Sequence, residues 1–141
     1  MQITPKPKRA EKATRQQDPE GTKRNILEVA SEEFARNGLS GARVDEIAAR
    51  TKSSKRMIYY YFGDKDGLYL AVLEGRYAAI RSAETKLDLS HREPREGMRE
   101  LVLFTWHYFL EHPEFLSILA TENLQKARFL RRSGSVVQLN S

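Results

Sequence analysis

Apolar residues recur along most of this chain at three- and four-residue intervals, the period of an amphipathic helix rather than of a strand. Ile26, Leu27, Ala30 and Phe34 form the first such stripe, and Glu28, Glu32, Glu33 and Arg36 take most of the remaining positions. This predicts a helix over 22–37, stopped by Gly38 in a left-handed conformation with Leu39 packing back on the last turn. A second set, Val44, Ile47, Ala48 and Thr51, falls at i, i+3, i+4 and i+7, with Asp45 and Glu46 in the first turn where acids suit the helix dipole. Ser54 is placed to cap a third short helix over 55–62, ended by Gly63, and Asp64 to cap a fourth that runs to about Ala83. In that helix Leu68, Ala71, Val72, Gly75 and Ala79 form one stripe, widened by Leu70, Leu73 and Tyr77. Pro94 suits the first turn of a fifth helix with Met98, Leu101, Val102, Thr105, Phe109 and Leu110 on one face, and Pro113 ends it. Phe115, Leu116, Leu119, Asn123, Leu124, Ala127 and Leu130 predict a further helix that fades into 133–141, where 135–139 is the one weak strand candidate. The expected fold class is all-α, without internal repeats.

Composition narrows the function classes. A chain of 141 residues with 40% hydrophobic and 30% charged residues has the apolar share of an ordinary globular domain. The longest uncharged stretch, Leu101 to Leu110, is far short of the roughly 20 apolar residues of a membrane-spanning helix, and residues 1–20 hold no apolar signal core. No membrane partner and a cytoplasmic location are expected. The absence of cysteine removes disulfides, thiolate nucleophiles and zinc fingers. His107 and His112 are five apart, so they lie on different helix faces, and no metal site or cofactor is expected. Neither a Gly-rich phosphate loop nor a nucleophile motif occurs, which argues against an enzyme.

The net charge of +5 is unevenly spread. Residues 1–24 carry seven Lys/Arg against three acids, 50–65 five against one, and 126–132 four against none. Residues 1–21, with three prolines and little aliphatic content, read as a disordered basic arm. The second cluster covers two short helices joined by a three- or four-residue turn, the arrangement that places its second helix in the DNA major groove. Within 43–62, Ile58 and Phe62 are four apart and anchor the third helix, leaving its other faces for a duplex. Lys55 and Arg56 at its N-terminal end are suited to guanine O6 and N7, and Met57 to a thymine methyl. Ser54, Tyr59, Tyr61 and Lys65 are types that donate to phosphate oxygens, and Tyr60 completes the aromatic run around the same helix.

These residues carry a resemblance. From 22 to about 80 the chain resembles the DNA-binding domain of the tetracycline-repressor (TetR) family: Ile26-Leu27, Ala30, Phe34 and Gly38 match its first helix. Val44, Ile47-Ala48, Ser54, Ile58-Tyr59 and Tyr61-Phe62 match its second and third, and Lys65 and Leu68 its closing motif. Two departures stand out. The family's Thr or Ser before the second helix is replaced by Ala42-Arg43, with Arg43 able to reach phosphate. The family's Ala-Gly-Val-Ser turn is replaced by Thr51-Lys52-Ser53-Ser54, and a left-handed Lys52 costs roughly 1 kcal/mol relative to glycine.

The resemblance implies a DNA-binding domain over 22–82 and a helical effector and dimerisation domain after it, of which 83–141 is an incomplete part. It implies a DNA-binding regulator, a repressor, that reads a palindromic operator as a homodimer and is released by a small apolar or amphipathic effector. Phe104, Trp106, Tyr108, Phe109 and Phe115 are the candidate lining of the effector pocket. About 58 residues follow Ala83, too few for the family's dimerisation helices. An alternative reading is therefore a truncated helical module that pairs with another regulator and titrates it.

Overall fold

The computed structural model describes residues 18–139, and among these every regular element is helical. In chain order they are α1 (Pro19–Gly41), α2 (Val44–Thr51), α3 (Lys55–Phe62), α4 (Lys65–Glu84), α5 (Pro94–Glu111) and α6 (Pro113–Leu124). A single 3₁₀ turn (Leu130–Arg132) and the short α7 (Gly134–Leu139) follow. Most of the arm expected over 1–21 lies outside the described residues, but its last part is ordered helix. Asp18 accepts a hydrogen bond from the Gly21 amide at 3.1 Å and Pro19 takes the first helical position, so α1 begins three residues before Thr22.

Gly38 is the break the pattern requires. Its φ of 68° interrupts helical geometry inside α1, and the Ala42 amide returns to its carbonyl at 3.0 Å, turning the chain towards α2. Leu39 packs back on the core as expected. The turn between α2 and α3 takes the conformation that the sequence makes costly: Lys52 has φ 53° and ψ 27°, left-handed without being glycine. Lys52→Gly should therefore raise the unfolding free energy by about 1 kcal/mol, seen as a melting temperature higher by about 4 °C in circular dichroism. A lower melting temperature would show that the lysine side chain repays its backbone strain.

Ile26, Phe34, Ile47, Ile58, Leu68 and Leu73 lose nearly all solvent contact and make one core beneath α1 to α4. That core does not stop at the end of α4, because α6 lies along α1 and contributes Ile118, and Phe129 closes on Tyr69 edge-to-face at 5.0 Å. Two elements differ from the pattern. The helix expected to reach Leu130 stops at Leu124, since Lys126 and Ala127 adopt φ of 56° and 55° and reverse the chain. Left-handed non-glycine residues are unfavourable alone. Here the reversal brings the Phe129 and Leu130 amides to the buried Glu122 carboxylate at 3.2 and 3.3 Å, and the same carboxylate accepts from the Tyr69 hydroxyl at 2.9 Å. The weak strand candidate over 135–139 is helix instead: the Ser133 hydroxyl accepts from the Val136 amide at 3.2 Å and itself donates to Glu74 at 2.7 Å, which starts α7 against α4.

Candidate nucleic-acid interface

The geometry of α2 and α3 follows from which of their residues the core takes. Ile47 and Ala48 hold α2 down, and α2 is tied to α1 by the Arg50 to Glu32 ion pair. Its N-terminus has no side-chain cap, which agrees with Arg43 standing where a Ser or Thr would serve. The structure supplies a substitute that the pattern misassigned: Glu33, expected on the polar face of α1, is buried and accepts from the Arg43 amide at 3.3 Å and the Asn37 side chain at 2.8 Å. The Arg43 side chain remains exposed. A signal for Glu33 existed in its position directly before Phe34, although its burial needs the partner amide ten residues on.

Helix α3 is pinned by Ile58, which is fully buried, while Ser54 caps it by accepting from the Met57 amide at 3.0 Å. One turn of the helix therefore faces outward. Arg56 and Tyr60 are exposed there, Tyr60 at 84%, and with Ser54, Met57 and Tyr61 they line a shallow groove of about 320 Å³. Arg56 has no ion-pair partner among the described residues. Lys55 is less free, since its ammonium lies 3.4 Å from Asp45 and 5.9 Å from the Tyr59 ring centre.

Three other expected contact residues divide their side chains between core and surface. Tyr59 and Tyr61 are half-buried against the core, the Tyr61 ring stacks edge-on with Phe62, and Lys23 from α1 lies 5.2 Å above it. Lys65 is half-buried and donates to the Ser40 carbonyl at 3.3 Å, so its amine already braces α4 on the end of α1. The structure thus gathers Ser54, Arg56, Met57, Tyr60 and Tyr61 on one surface, with Lys55 at its edge; Arg43 and Lys65 stand at the ends of neighbouring helices.

The five aromatic residues expected to line an effector pocket are not brought together. Helix α5 touches α4 and α6 along one side only, and that side carries Leu101, Thr105 and Phe109. With Tyr77 and Ile80 of α4 and Phe115 of α6 they enclose a cleft of about 290 Å³, roofed in part by the Arg81 to Glu84 ion pair. Phe115 meets Tyr77 edge-on at 5.5 Å and Phe109 at 5.7 Å. Trp106 is one residue past Thr105, a turn of about 100° round the helix, and it is 63% exposed. Phe104 and Tyr108 pair with each other at 5.8 Å and Tyr108 with His112 at 4.3 Å, beside that cleft rather than in its lining. Met98, Val102 and Leu110, expected on the packed face of α5, also point outward. No group of three or more candidate metal ligands occurs among the described residues, and none of their helices is long and apolar enough to cross a membrane.

An all-α fold whose second and third helices meet through a tight turn, with a capped, basic-ended third helix standing proud of the core, defines a helix-turn-helix DNA-binding domain. The chain belongs to the TetR family: residues 26–72 match the family described as bacterial regulatory proteins, tetR family, and residues 94–141 match a tetracyclin repressor-like C-terminal domain. It is 44% identical over 126 residues to the HTH-type transcriptional repressor NicS of Pseudomonas putida, covering 89% of this chain and 59% of that protein. It is 39% identical over 113 residues to the HTH-type transcriptional repressor SCO4008 of Streptomyces coelicolor, covering 77% of this chain and 53% of that one. Its fold superposes on a TetR-like transcriptional regulator from Rhodococcus sp. RHA1 with a TM-score of 0.66 at 26% identity, over 79% of this chain and 60% of that one. The chain thus spans little more than half the length of these relatives.

Proposed function

We propose that this chain acts as a DNA-binding transcriptional repressor that inserts α3 into the major groove, binds a palindromic operator as a homodimer, and is released by a small effector. The observation that carries the reading is the outward turn of α3, where an exposed Arg56, without an ion-pair partner among the described residues, stands beside Met57 and Tyr60 on a helix locked by Ile58. The names of the two curated relatives, both transcriptional repressors, support the same direction of control. In this reading Arg56 and Met57 meet base edges, while Ser54, Tyr59, Tyr61 and Arg43 set register on phosphates. Lys55, Lys65 and Tyr60 flank them.

The effector site is the cleft between α4, α5 and α6, whose aromatic floor of Tyr77, Phe109 and Phe115 suits an apolar or amphipathic molecule. Burial pushes the Tyr77 hydroxyl above its ordinary range, so it remains a neutral hydrogen-bond donor inside that cleft. An effector that binds better when the cleft is open would shift the population towards a spacing of reading heads that no longer fits adjacent grooves.

Selection from a random duplex library with the purified chain at near-physiological salt tests the reading. A palindromic winner is expected, whose affinity falls steeply with salt at about 0.9 log units per log unit of salt for each phosphate neutralised. Salt-sensitive but sequence-indifferent binding would overturn operator reading by this chain. A second reading, a module that pairs with another regulator and titrates it, is favoured by the uncovered apolar row Met98, Val102, Trp106 and Leu110 on α5, each at least 58% exposed. Sedimentation separates the two, since a stable homodimer of the pure chain counts against titration.

A further inference from the structure

We propose that the basic turn after α6, residues 126–132, is a second contact with the DNA backbone, touching phosphates beside the stretch read by α3. The proposal rests on the reading of α3 given above. Lys126, Arg128, Arg131 and Arg132 stand close together without an acid between them. All four are exposed, and none has an ion-pair partner among the described residues. The fold also fixes the backbone that carries them. Phe129 is buried, and its amide and that of Leu130 are held by the Glu122 carboxylate. The Arg128 and Arg132 guanidiniums lie 5.2 and 5.7 Å from the centre of the Phe129 ring. A guanidinium stacked on a ring keeps its N–H edges free for the oxygens of a phosphate.

The course of α6 decides where the turn lies. Arg76 and Tyr77 of α4 meet Glu114 and Phe115 at the start of α6, and Tyr69 meets Glu122 near its end, so the two helices run antiparallel. The turn therefore sits by the first turns of α4: Phe129 packs on Tyr69, about 6 Å along the helix axis from Lys65. That end of α4 is joined to α3 through Gly63 and Asp64 alone, and Lys65 there donates to the Ser40 carbonyl, shortly before Arg43. Arg43, Lys65 and the basic turn thus gather at the end of the domain where α3 meets α4. Of the possible partners a duplex fits better than a protein. Across 123–132 Leu124 is the single exposed large apolar side chain, whereas a protein interface is built on an apolar core. A polyanion needs only charge, and each phosphate neutralised releases counterions.

The test compares the full chain with a variant carrying Lys126→Gln, Arg128→Gln, Arg131→Gln and Arg132→Gln, by fluorescence anisotropy on the operator chosen by the selection above. Two duplexes are used, one trimmed to the operator and one extended by about ten base pairs, a helical turn, on each side. On the extended duplex the variant is expected to bind about tenfold more weakly at physiological salt, with a salt slope shallower by about 0.9 for each phosphate that it no longer neutralises. On the trimmed duplex the two proteins should bind alike. Arg131→Gln alone leaves the stack on Phe129 in place and should lower the slope by about 0.9, which keeps the test valid if the fourfold variant melts early. Unchanged slopes for both variants would overturn the contact and leave these cations to an acidic protein, and equal losses on the two duplexes would overturn its place at the flanks. A chain that selects no operator overturns the α3 reading instead, and the slopes on a scrambled duplex then still report on the turn, so the two failures are distinguishable.

Discussion

Arg56→Ala is expected to weaken binding to the selected operator by one to two orders of magnitude per half-site and to flatten base preference at one position, with the melting temperature unchanged. Arg56 is exposed at the N-terminal end of α3 and unpaired among the described residues, so its guanidinium is available for a bidentate contact with guanine. Such a contact contributes about 1–3 kcal/mol of discrimination. Lys55 is the internal comparison. Its ammonium is held near Asp45 at 3.4 Å, so Lys55→Ala should cost less affinity, uniformly across sequences, and lower the salt slope by about 1 for each phosphate involved. Fluorescence anisotropy on the operator and on a scrambled duplex reads both. If Arg56→Ala leaves specific and non-specific affinity alone, the surface of α3 has been wrongly assigned.

The largest expected effect on stability belongs to Glu122→Ala, which should lower the unfolding free energy by about 3–5 kcal/mol. Glu122 is fully buried and serves three donors at once: the Tyr69 hydroxyl and the amides of Phe129 and Leu130. Truncation leaves a cavity and deprives two buried donors and one half-buried one of their acceptor, each unsatisfied buried group costing about 1–3 kcal/mol before relaxation. It also removes what offsets the left-handed conformations of Lys126 and Ala127, so the turn after α6 should loosen with the rest. Tyr69→Phe removes one donor only and should cost about 1.5–3 kcal/mol. Burial first, and then the hydrogen bond to Glu122, hold the Tyr69 hydroxyl well above its ordinary range, so it donates throughout the working pH range. Urea unfolding followed by circular dichroism measures both variants, and a loss below 1 kcal/mol for Glu122→Ala would mean that water or a rearranged turn satisfies the same donors.

The buried network joins α4, α6 and the following turn in one core with α1. The cleft proposed for the effector shares α4 and α6 with that network, and Phe115 stands two turns from Glu122 on the same helix. In the proposed reading, a ligand that spreads α4 from α6 would act on helices packed against the helix-turn-helix through Tyr69 and Phe34, whose rings meet edge-on at 5.1 Å.

Much of this architecture is written in local chemistry. Ser54 and Asp64 cap α3 and α4, Gly38 and Gly63 take positive φ where the pattern stops a helix, and Pro94 opens α5, all at positions legible from spacing, whereas Pro113, read as the end of α5, is also the first residue of α6. Helix-period stripes and caps are short-range features, so the bounds of α2 and α3 and the exposed turn carrying Arg56 and Met57 followed from the residues themselves. The strained turn at Lys52 was also visible, because the resemblance put a positive φ where this chain has no glycine. What spacing could not supply was the choice among alternatives that only a distant partner settles. Glu33 is polar in any local view, yet it goes inside because the Arg43 amide needs an acceptor there. The helix after Pro113 stops at Leu124 because Glu122 recruits amides from beyond it, and Trp106 turns outward because α5 meets its neighbours on a single side. Caps, stripes and turns cost or stabilise within a few residues of themselves, whereas buried polar groups and pocket linings take their sign from atoms that the fold brings close across the chain.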